Sequence, residues 1–339
     1  MAATTADLAV DLGTSRTRVV GKGAQPMLLD VPTVVATASR GRKQEVVAVG
    51  EDARKMIGRT PEGTRVLRPV RGGVVADFEA TEQLLRALLK QVGGRSLRKP
   101  RLLVCIPYGT TEVERRAVAD SAKAAGAGSV LLAVSPIAAA LGADLPVQDP
   151  VASMIVDLGG GRTHTAVTSL GGLVVARSAQ VAGDDLDEAI GAWLEANRGL
   201  QIGERTCETL KTRVGTLIPE LHHDLQMRVR GRDLSTGRPA ELEVTSDDVA
   251  AAIGDTALRI RQLVLDTLAA TPPELAADIV DRGMILCGGT SDLRGLDARL
   301  RDDTALPVLR AEDPVTCVAR GAARLLADTT LLERVATTA

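Results

Sequence analysis

Two stretches of this chain repeat one another: DLGTSRT at residues 11–17 and DLGGGRT at residues 157–163. In both copies a run rich in β-branched residues leads into the motif, and another follows it. A strand, an acidic residue at its end, a glycine turn and a second strand describe a β-hairpin. Because a whole hairpin recurs, we expect two similar lobes that each contribute one loop to a shared site.

Each loop has the residues of a phosphate clamp. Glycines let the backbone approach an anion, and the N–H groups of a turn can point at it. Hydroxyl donors accompany them at Thr14, Ser15, Thr17 and Thr163. A single Asp-Leu-Gly also occurs in ordinary turns, but two copies with matching flanks favour the phosphate interpretation.

The aspartate in each loop predicts a cation. A carboxylate beside a phosphate is repulsive unless a positive charge lies between them. Asp11 and Asp157 therefore imply Mg²⁺, held mainly through water because this ion dehydrates reluctantly.

Two further segments carry weaker signals. The apolar run at 284–287 is followed by the turn Gly288–Gly289–Thr290–Ser291, which fits a backbone lying against a nucleotide but equally a simple strand-to-helix turn. At 203–211 a helical pattern places Glu208 and Lys211 on one face. Such a pair is by itself more typical of a solvated surface.

Composition excludes some functions. At 339 residues the chain exceeds the size of most single cores. It has one Phe, one Tyr and one Trp, so its cores must be built from Ala, Val, Leu and Ile. A formal net charge of -2 argues against a nucleic-acid partner. The four cysteines form no CxxC pair, which indicates buried, reduced thiols.

Hydrophobic patterning indicates an α/β class. Helices are predicted at 81–92, 111–126, 184–197 and 247–268, a buried strand at 102–106 and a hairpin at 225–244. The first residues lack a basic segment followed by an apolar one, and no apolar run approaches the ~18 residues of a membrane span. We therefore expect a soluble, cytoplasmic protein.

Longer motifs carry a family resemblance. DLGTSRTRVV, IVDLGGGRTHTAV and ILCGGTSDLRGL resemble the first phosphate, second phosphate and adenosine motifs of the actin, sugar-kinase and heat-shock ATPase superfamily. Other segments are similar to the bacterial MreB and Mbl rod-shape family: AVGEDARKMIGRTPEGTRVLRPVRGGVVADFEATE, CIPYGTTEVERRAV, QVAGDDLDEAI, IGERTCETLK, VRGRDLSTGRP and TPPELAADIVDRG. The resemblance extends from about Leu8 to Leu325.

The resemblance implies an actin-like (ribonuclease H-like, duplicated) two-lobed α/β fold with four subdomains around a nucleotide cleft. The expected divisions are subdomain IA at 1–31, 72–145 and 312–339, IB at 32–71, IIA at 146–183 and 250–311, and IIB at 184–249.

The same resemblance implies ATP and Mg²⁺ as ligands. Asp11 and Asp157 would hold the metal through water. The ATP-binding residues it implies are Thr14, Ser15, Arg16, Thr17, Gly159, Gly160, Gly161, Glu208, Lys211, Gly288, Gly289, Thr290, Ser291 and Asp292. Arg16 and Arg162 replace smaller polar residues of the family, and Thr290 replaces a glycine.

Family members carry Glu-Glu-Pro at the start of the helix beneath the terminal phosphate, where the second glutamate positions water. Here the stretch 133–140 reads AVSPIAAA, so Ser135 occupies the catalytic position. Serine is a poor general base at neutral pH. We therefore expect ATP binding with slow or absent hydrolysis.

The implied function is a filament-forming homopolymer that helps to organise cell shape or cell-wall synthesis. Cell-wall synthesis or membrane-bound morphogenesis proteins would be partners, and filaments would lie at the inner face of the cytoplasmic membrane. The candidate membrane loop, 93–101, offers Leu97 among basic residues, although a solvated basic loop would look the same.

Two alternatives remain. A small-molecule kinase of the same fold would need an aspartate base, and the sequence offers none beyond Asp11 and Asp157. A nucleotide-bound scaffold that acts through partner contacts without dynamic polymerisation is favoured by Ser135.

Overall fold

The computed structural model describes residues 7–23, 26–40, 43–93 and 99–338. The strands are β1 (Leu8–Leu12), β2 (Arg16–Val20), β3 (Met27–Pro32), β4 (Val35–Arg40), β5 (Lys43–Val49), β6 (Thr64–Leu67), β7 (Val70–Arg71), β8 (Val74–Val75), β9 (Arg101–Ile106), β10 (Ser129–Val134), β11 (Ser153–Leu158), β12 (Thr163–Ser169), β13 (Gly172–Ala179), β14 (Leu200–Gln201), β15 (Gln226–Asp233), β16 (Pro239–Thr245), β17 (Met284–Cys287), β18 (Val308–Arg310) and β19 (Thr337–Thr338).

The helices are α1 (Glu51–Lys55), α2 (Phe78–Gly93), α3 (Glu112–Ala124), α4 (Ser135–Gly142), α5 (Gly183–Arg198), α6 (Glu204–Arg213), α7 (Ser246–Ala269), α8 (Pro273–Arg282), α9 (Leu296–Thr304), α10 (Cys317–Ala327) and α11 (Thr329–Val335). Short 3-10 turns cover Pro219–Leu221, Gly289–Asp292 and Pro314–Thr316.

The helices and strands expected from the sequence are present. The leucines at 84, 85, 88 and 89 are buried along α2, as their helical spacing predicts. Thr111 and Glu114 form the expected capping box, in which the Glu114 N–H donates to Thr111 Oγ1 at 3.3 Å and the Thr111 N–H to Glu114 Oε2 at 2.7 Å. β9 is buried along almost its whole length, as a strand covered on both faces must be.

The two large sheets share one topology, which confirms the predicted duplication. The first sheet has the order β19-β10-β9-β1-β2-β3, and the second has β18-β17-β11-β12-β13. In each, a central strand pairs antiparallel with the next strand and parallel with a later one: β1 with β2 and β9, β11 with β12 and β17. The carboxyl ends of β1 and β11 therefore hold equivalent loops.

Two helices lie between the sheets. α4 and α10 pack closely because glycines stand at their crossing, and a Cβ at Gly142 or Gly321 would collide with the facing backbone. The apolar cluster around them takes residues from both sheets, including Ile155 and Leu103. This shared core joins the two lobes.

Smaller sheets flank the large ones: β5-β4-β6 in the first half and β14-β15-β16 in the second, where the predicted hairpin turns at 235–237. The division into four subdomains at the stated residue numbers stays a prediction. All four cysteines are buried, as expected. Across the described ranges, no helix is both long enough and apolar enough to cross a membrane.

Candidate functional site

A cleft of about 320 Å³ lies where the two large sheets meet. Both repeated hairpins line it, together with the start of α4, one face of α6 and the turn after β17. The structure thus brings together loops that are far apart in the chain, as the repeat predicted.

The two hairpin turns have the same internal geometry. The Gly13 N–H donates to the Arg16 carbonyl at 3.1 Å, and the Gly159 N–H donates to the Arg162 carbonyl at 3.0 Å. A Cβ at Gly13 or Gly159 would lie 2.7 or 2.9 Å from that carbonyl oxygen. Glycine is therefore required at both positions.

The hairpins also touch each other. A Cβ at Gly160 would lie 2.9 Å from the Ser15 Cβ, and one at Gly161 would lie 2.6 Å from Thr14 Oγ1. Thr14 in turn accepts a hydrogen bond from the Gly73 N–H at 2.9 Å. The side chains of the first loop thus occupy the space that the glycines of the second leave free.

Asp11 and Asp157 both line the cleft floor. Burial and the nearby Asp11 raise the pKa of Asp157 to about 7, and burial raises the pKa of Asp11. Two partly desolvated carboxylates in one cleft fit a hard cation such as Mg²⁺. Within the described ranges no three His, Cys, Asp or Glu side chains are placed to bind one metal, so water and ligand oxygens would complete its coordination.

Sequence reasoning missed the residues opposite these aspartates. In the β1–β2 register Asp11 faces Arg18, and in the β11–β12 register Asp157 faces His164. Arg18 Nη1 lies 3.5 Å from Asp11 Oδ2, whereas burial lowers the pKa of His164 to about 3 and keeps it neutral. Counting residues across the predicted hairpins would have found both.

The two loop arginines behave differently. Arg16 pairs with Asp30 on the neighbouring strand, with Nε 2.6 Å from Oδ1. Arg162 instead crosses the cleft, where its Nε donates to the Gly72 carbonyl at 2.7 Å and its Nη1 to Ser178 Oγ at 3.1 Å. Arg162 therefore links the second hairpin to the first lobe.

Ser135 is the first residue of α4 and lies in the cleft wall with 9% of its surface exposed. Its hydroxyl donates to the Ile106 carbonyl at 3.0 Å. The first turn of α4 contains no acidic residue. At the position where the family resemblance implies a carboxylate that positions water, this chain has a hydroxyl. Its hydrogen is already engaged in a bond to a backbone carbonyl.

Glu208 and Lys211 both line the cleft from α6, but they do not pair with each other. Glu208 Oε2 accepts from Arg54 Nη2 at 2.9 Å across the cleft mouth, and Glu204 pairs similarly with Arg68. Lys211 Nζ donates to Asp187 Oδ2 at 2.7 Å and to the Gly183 carbonyl at 2.8 Å.

The turn after β17 approaches the second hairpin closely. Gly288 has φ 82°, which favours glycine, and a Cβ there would lie 2.8 Å from Asp157 Oδ1. The Thr290 hydroxyl donates to the Gly159 carbonyl at 2.8 Å, so this threonine ties the turn to the loop.

Some predicted residues lie elsewhere. The cleft lining does not include Thr17, whose hydroxyl bonds Thr33, nor Ser291, whose hydroxyl bonds the Gly288 carbonyl, nor Asp292, which pairs with Arg310. Leu97 lies outside the described residues.

A duplicated sheet topology with paired glycine loops and an acidic pair in the intervening cleft defines an actin-like protein. The family model described as MreB/Mbl protein matches residues 5–334. The cell shape-determining protein MreB of Escherichia coli (strain K12) is 45% identical over 324 residues, covering 94% of this chain and 93% of that protein. This chain belongs to the MreB/Mbl family.

Solved structures agree with this fold. MreB5 of Spiroplasma citri bound to ADP has a TM-score of 0.89 and 32% identity, with 98% of each chain covered. A MamK double helical filament has a TM-score of 0.76 at 21% identity, covering 95% of this chain and 99% of that one, and shows likeness of fold alone.

Proposed function

We propose that this protein is an ATP-binding actin-like protein that forms filaments and helps to organise cell shape or cell-wall synthesis, with weakened ATP hydrolysis. The observation that carries the proposal is the cleft in which two glycine hairpins and two aspartates meet. Further support comes from the ADP-bound MreB5 and the cell shape-determining MreB.

The hairpin residues of the cleft would hold the phosphates, with Asp11 and Asp157 toward Mg²⁺. A bound Mg²⁺ would supply positive charge between carboxylates and phosphates. Glu208 and Lys211 would lie toward the nucleoside, and Gly288, Gly289 and Thr290 beneath it. The ion pair with Arg54 occupies Glu208 Oε2, so a ligand would bind Oε1 or displace Arg54.

Ser135 supports weakened hydrolysis. A water-positioning group must accept a hydrogen bond or a proton from water, and a neutral serine is a weak acceptor. The Ser135 hydroxyl is also turned toward the Ile106 carbonyl. Because catalysis of phosphoryl transfer is mostly positioning and electrostatics, losing this group should cost orders of magnitude in rate.

Single-turnover phosphate release from ATP tests this proposal. The wild type should release phosphate far more slowly than E. coli MreB measured in parallel. Ser135→Glu should raise the rate, while Ser129→Glu, at the exposed start of β10 outside the cleft lining, should not. A wild-type rate equal to that of E. coli MreB would reject weakened hydrolysis.

The second candidate, a nucleotide-bound scaffold that does not polymerise dynamically, is favoured by the same Ser135 geometry. Electron microscopy of the protein with ATP and Mg²⁺ separates the two functions. Filaments support the first, whereas their absence despite measured ATP binding supports the scaffold.

Partners would be other copies of the chain, proteins of cell-wall synthesis or membrane-bound morphogenesis, and the inner face of the membrane. Leu97 and its basic neighbours are the sequence candidates for membrane contact. Burial of one leucine provides roughly 1–2 kcal/mol, and each basic residue near anionic lipid provides about 1 kcal/mol. These energies are enough for membrane binding by a multivalent filament. Liposome co-sedimentation should be weaker for Leu97→Glu, and equal binding would exclude this loop.

A further inference from the structure

Arg18 is a buried cation on the cleft floor. Its side chain lies on β2, lines the cleft and is 6% exposed. Nη1 lies 3.5 Å from Asp11 Oδ2, and Nε lies 3.3 Å from Asp30 Oδ2. The Nε–H makes no hydrogen bond with the described residues, so this buried donor lacks an acceptor.

The matched position in the second hairpin has no such charge. His164 faces Asp157 as Arg18 faces Asp11, but its buried imidazole forms no salt bridge with Asp157, and its Nδ1 has no hydrogen-bond partner among the described residues. Asp157 therefore has no ion pair with its strand partner. The positive charge on the cleft floor is supplied from the first hairpin.

Several other cations that line the cleft already have partners. Arg16 pairs with Asp30, Lys211 with Asp187 and Arg54 with Glu208. Arg18 is the one of these four that pairs with a carboxylate of the predicted metal site. Removing it would leave Asp11 and Asp157 both facing the phosphates of a bound nucleotide.

We propose that Arg18 is a built-in countercharge for the polyphosphate site, which lets the cleft bind a nucleotide with reduced dependence on a divalent cation. This inference rests on the proposed ATP-binding function. A guanidinium beside a carboxylate neutralises it permanently because arginine stays protonated in proteins. The metal then has to offset chiefly the charge of Asp157.

The test is the affinity for a fluorescent ATP analogue, measured with Mg²⁺ and with EDTA, in the wild type and in Arg18→Met. Methionine keeps much of the side-chain volume but removes the charge. The ratio of Kd in EDTA to Kd in Mg²⁺ should rise about tenfold or more in Arg18→Met, because the uncompensated charge acts in a low-dielectric site.

Two variants serve as controls. Arg18→Lys keeps the charge and should keep a ratio near that of the wild type. Arg230→Met removes an arginine from an exposed ion pair on β15 outside the cleft lining and should leave the ratio unchanged. A ratio that rises equally in Arg18→Lys would mean that Arg18 acts through packing and would overturn the inference.

Equal ratios in the wild type and Arg18→Met would reject the role of Arg18 while leaving ATP binding intact. Absence of wild-type binding under both conditions would instead reject the proposed function, and the inference with it. If Arg18→Met does not fold, Arg18→Gln replaces it, because glutamine removes the charge but keeps a hydrogen-bond donor for Asp11. Its ratio should also rise about tenfold, and an unchanged ratio would overturn the inference.

Discussion

The hairpins β1–β2 and β11–β12 have the same backbone geometry but carry different side chains at matched positions. Both close with the same glycine-to-arginine hydrogen bond. Both also receive a threonine hydroxyl on the glycine carbonyl, from Thr33 at 2.7 Å on Gly13 and from Thr290 at 2.8 Å on Gly159. The parallel strand beside each aspartate carries a cysteine, Cys105 or Cys287.

The differences are complementary. The first loop carries Thr14 and Ser15 where the second carries glycines, and these residues face each other across the cleft. The first hairpin holds a charged Arg18 opposite its aspartate, and the second a neutral histidine. The duplication thus accounts for the common backbone of the two hairpins. The different residues at matched positions let the two loops pack against each other and place a positive charge opposite only one of the two aspartates.

The largest expected effect comes from making the second loop resemble the first. Gly161→Ser places a Cβ 2.6 Å from Thr14 Oγ1 and 2.9 Å from the Gly72 nitrogen. Overpacking should lower the free energy of unfolding by about 3 kcal/mol, and ATP affinity should fall with it. Urea denaturation measures the first and equilibrium titration the second.

The reverse change, Ser15→Gly, creates no clash and should cost less than about 1 kcal/mol. Gly254→Ala, on α7, is a control, because a Cβ at this position would have no neighbouring atom within 4 Å. Equal costs for Gly161→Ser and Ser15→Gly would show that the hairpins do not interlock.

The pH dependence of the second hairpin should separate into two opposing parts. His164 has a pKa of about 3 in the fold against 6.5 ordinarily, so the unfolded chain binds more protons and stability falls as pH drops below 6.5. Asp157 has a pKa of about 7 against 3.8, so stability rises as pH drops below 7.

These effects oppose each other in the ligand-free wild type, and single variants should reveal them. When the pH is lowered from 7 to 5, the free energy of unfolding of His164→Gln should rise by about 2 kcal/mol. Over the same change, that of Asp157→Asn should fall by about 2 kcal/mol. Urea unfolding at the two pH values is the measurement. Identical pH profiles for the two variants would contradict both assignments.

The loop arginines should also differ. Arg162→Met removes a bond across the cleft and should cost about 1.5 kcal/mol because bonds from charged donors are strong. Arg16→Met removes a partly exposed pair and should cost less than about 1 kcal/mol. Small-angle scattering should detect opening of the two lobes in Arg162→Met. Equal unfolding free energies and equal scattering for the two variants would show that Arg162 does not bridge the lobes.

The smallest effect tests the feature that the copies share. Thr33→Val and Thr290→Val each remove a hydroxyl that donates to a loop glycine carbonyl. Each should cost about 1 kcal/mol in thermal or urea unfolding, with Thr33→Val the costlier because it also breaks the buried hydrogen bond between Thr17 and Thr33. Costs that differ by more than about 1 kcal/mol would show that the two loops are not supported equivalently.

Much of the fold could be predicted from local pattern. The leucine spacing of α2, the capping box of α3 and the continuous apolar run of β9 each depend on residues within a few positions of one another. The site was predicted less completely. Arg18 and His164 were missed because a side chain's role on a strand depends on its partner across the hairpin.

The sequence by itself determined that this protein has two copies of one hairpin, an α/β architecture and membership of the MreB/Mbl family, because glycine turns and hydrophobic periods are local and repeat visibly. Only the tertiary structure decided that the loops interlock, that Arg162 reaches Gly72 and that Arg54 reaches Glu208. Those contacts join residues 90 and 154 positions apart. They follow from how the lobes pack around α4 and α10, which no local pattern encodes.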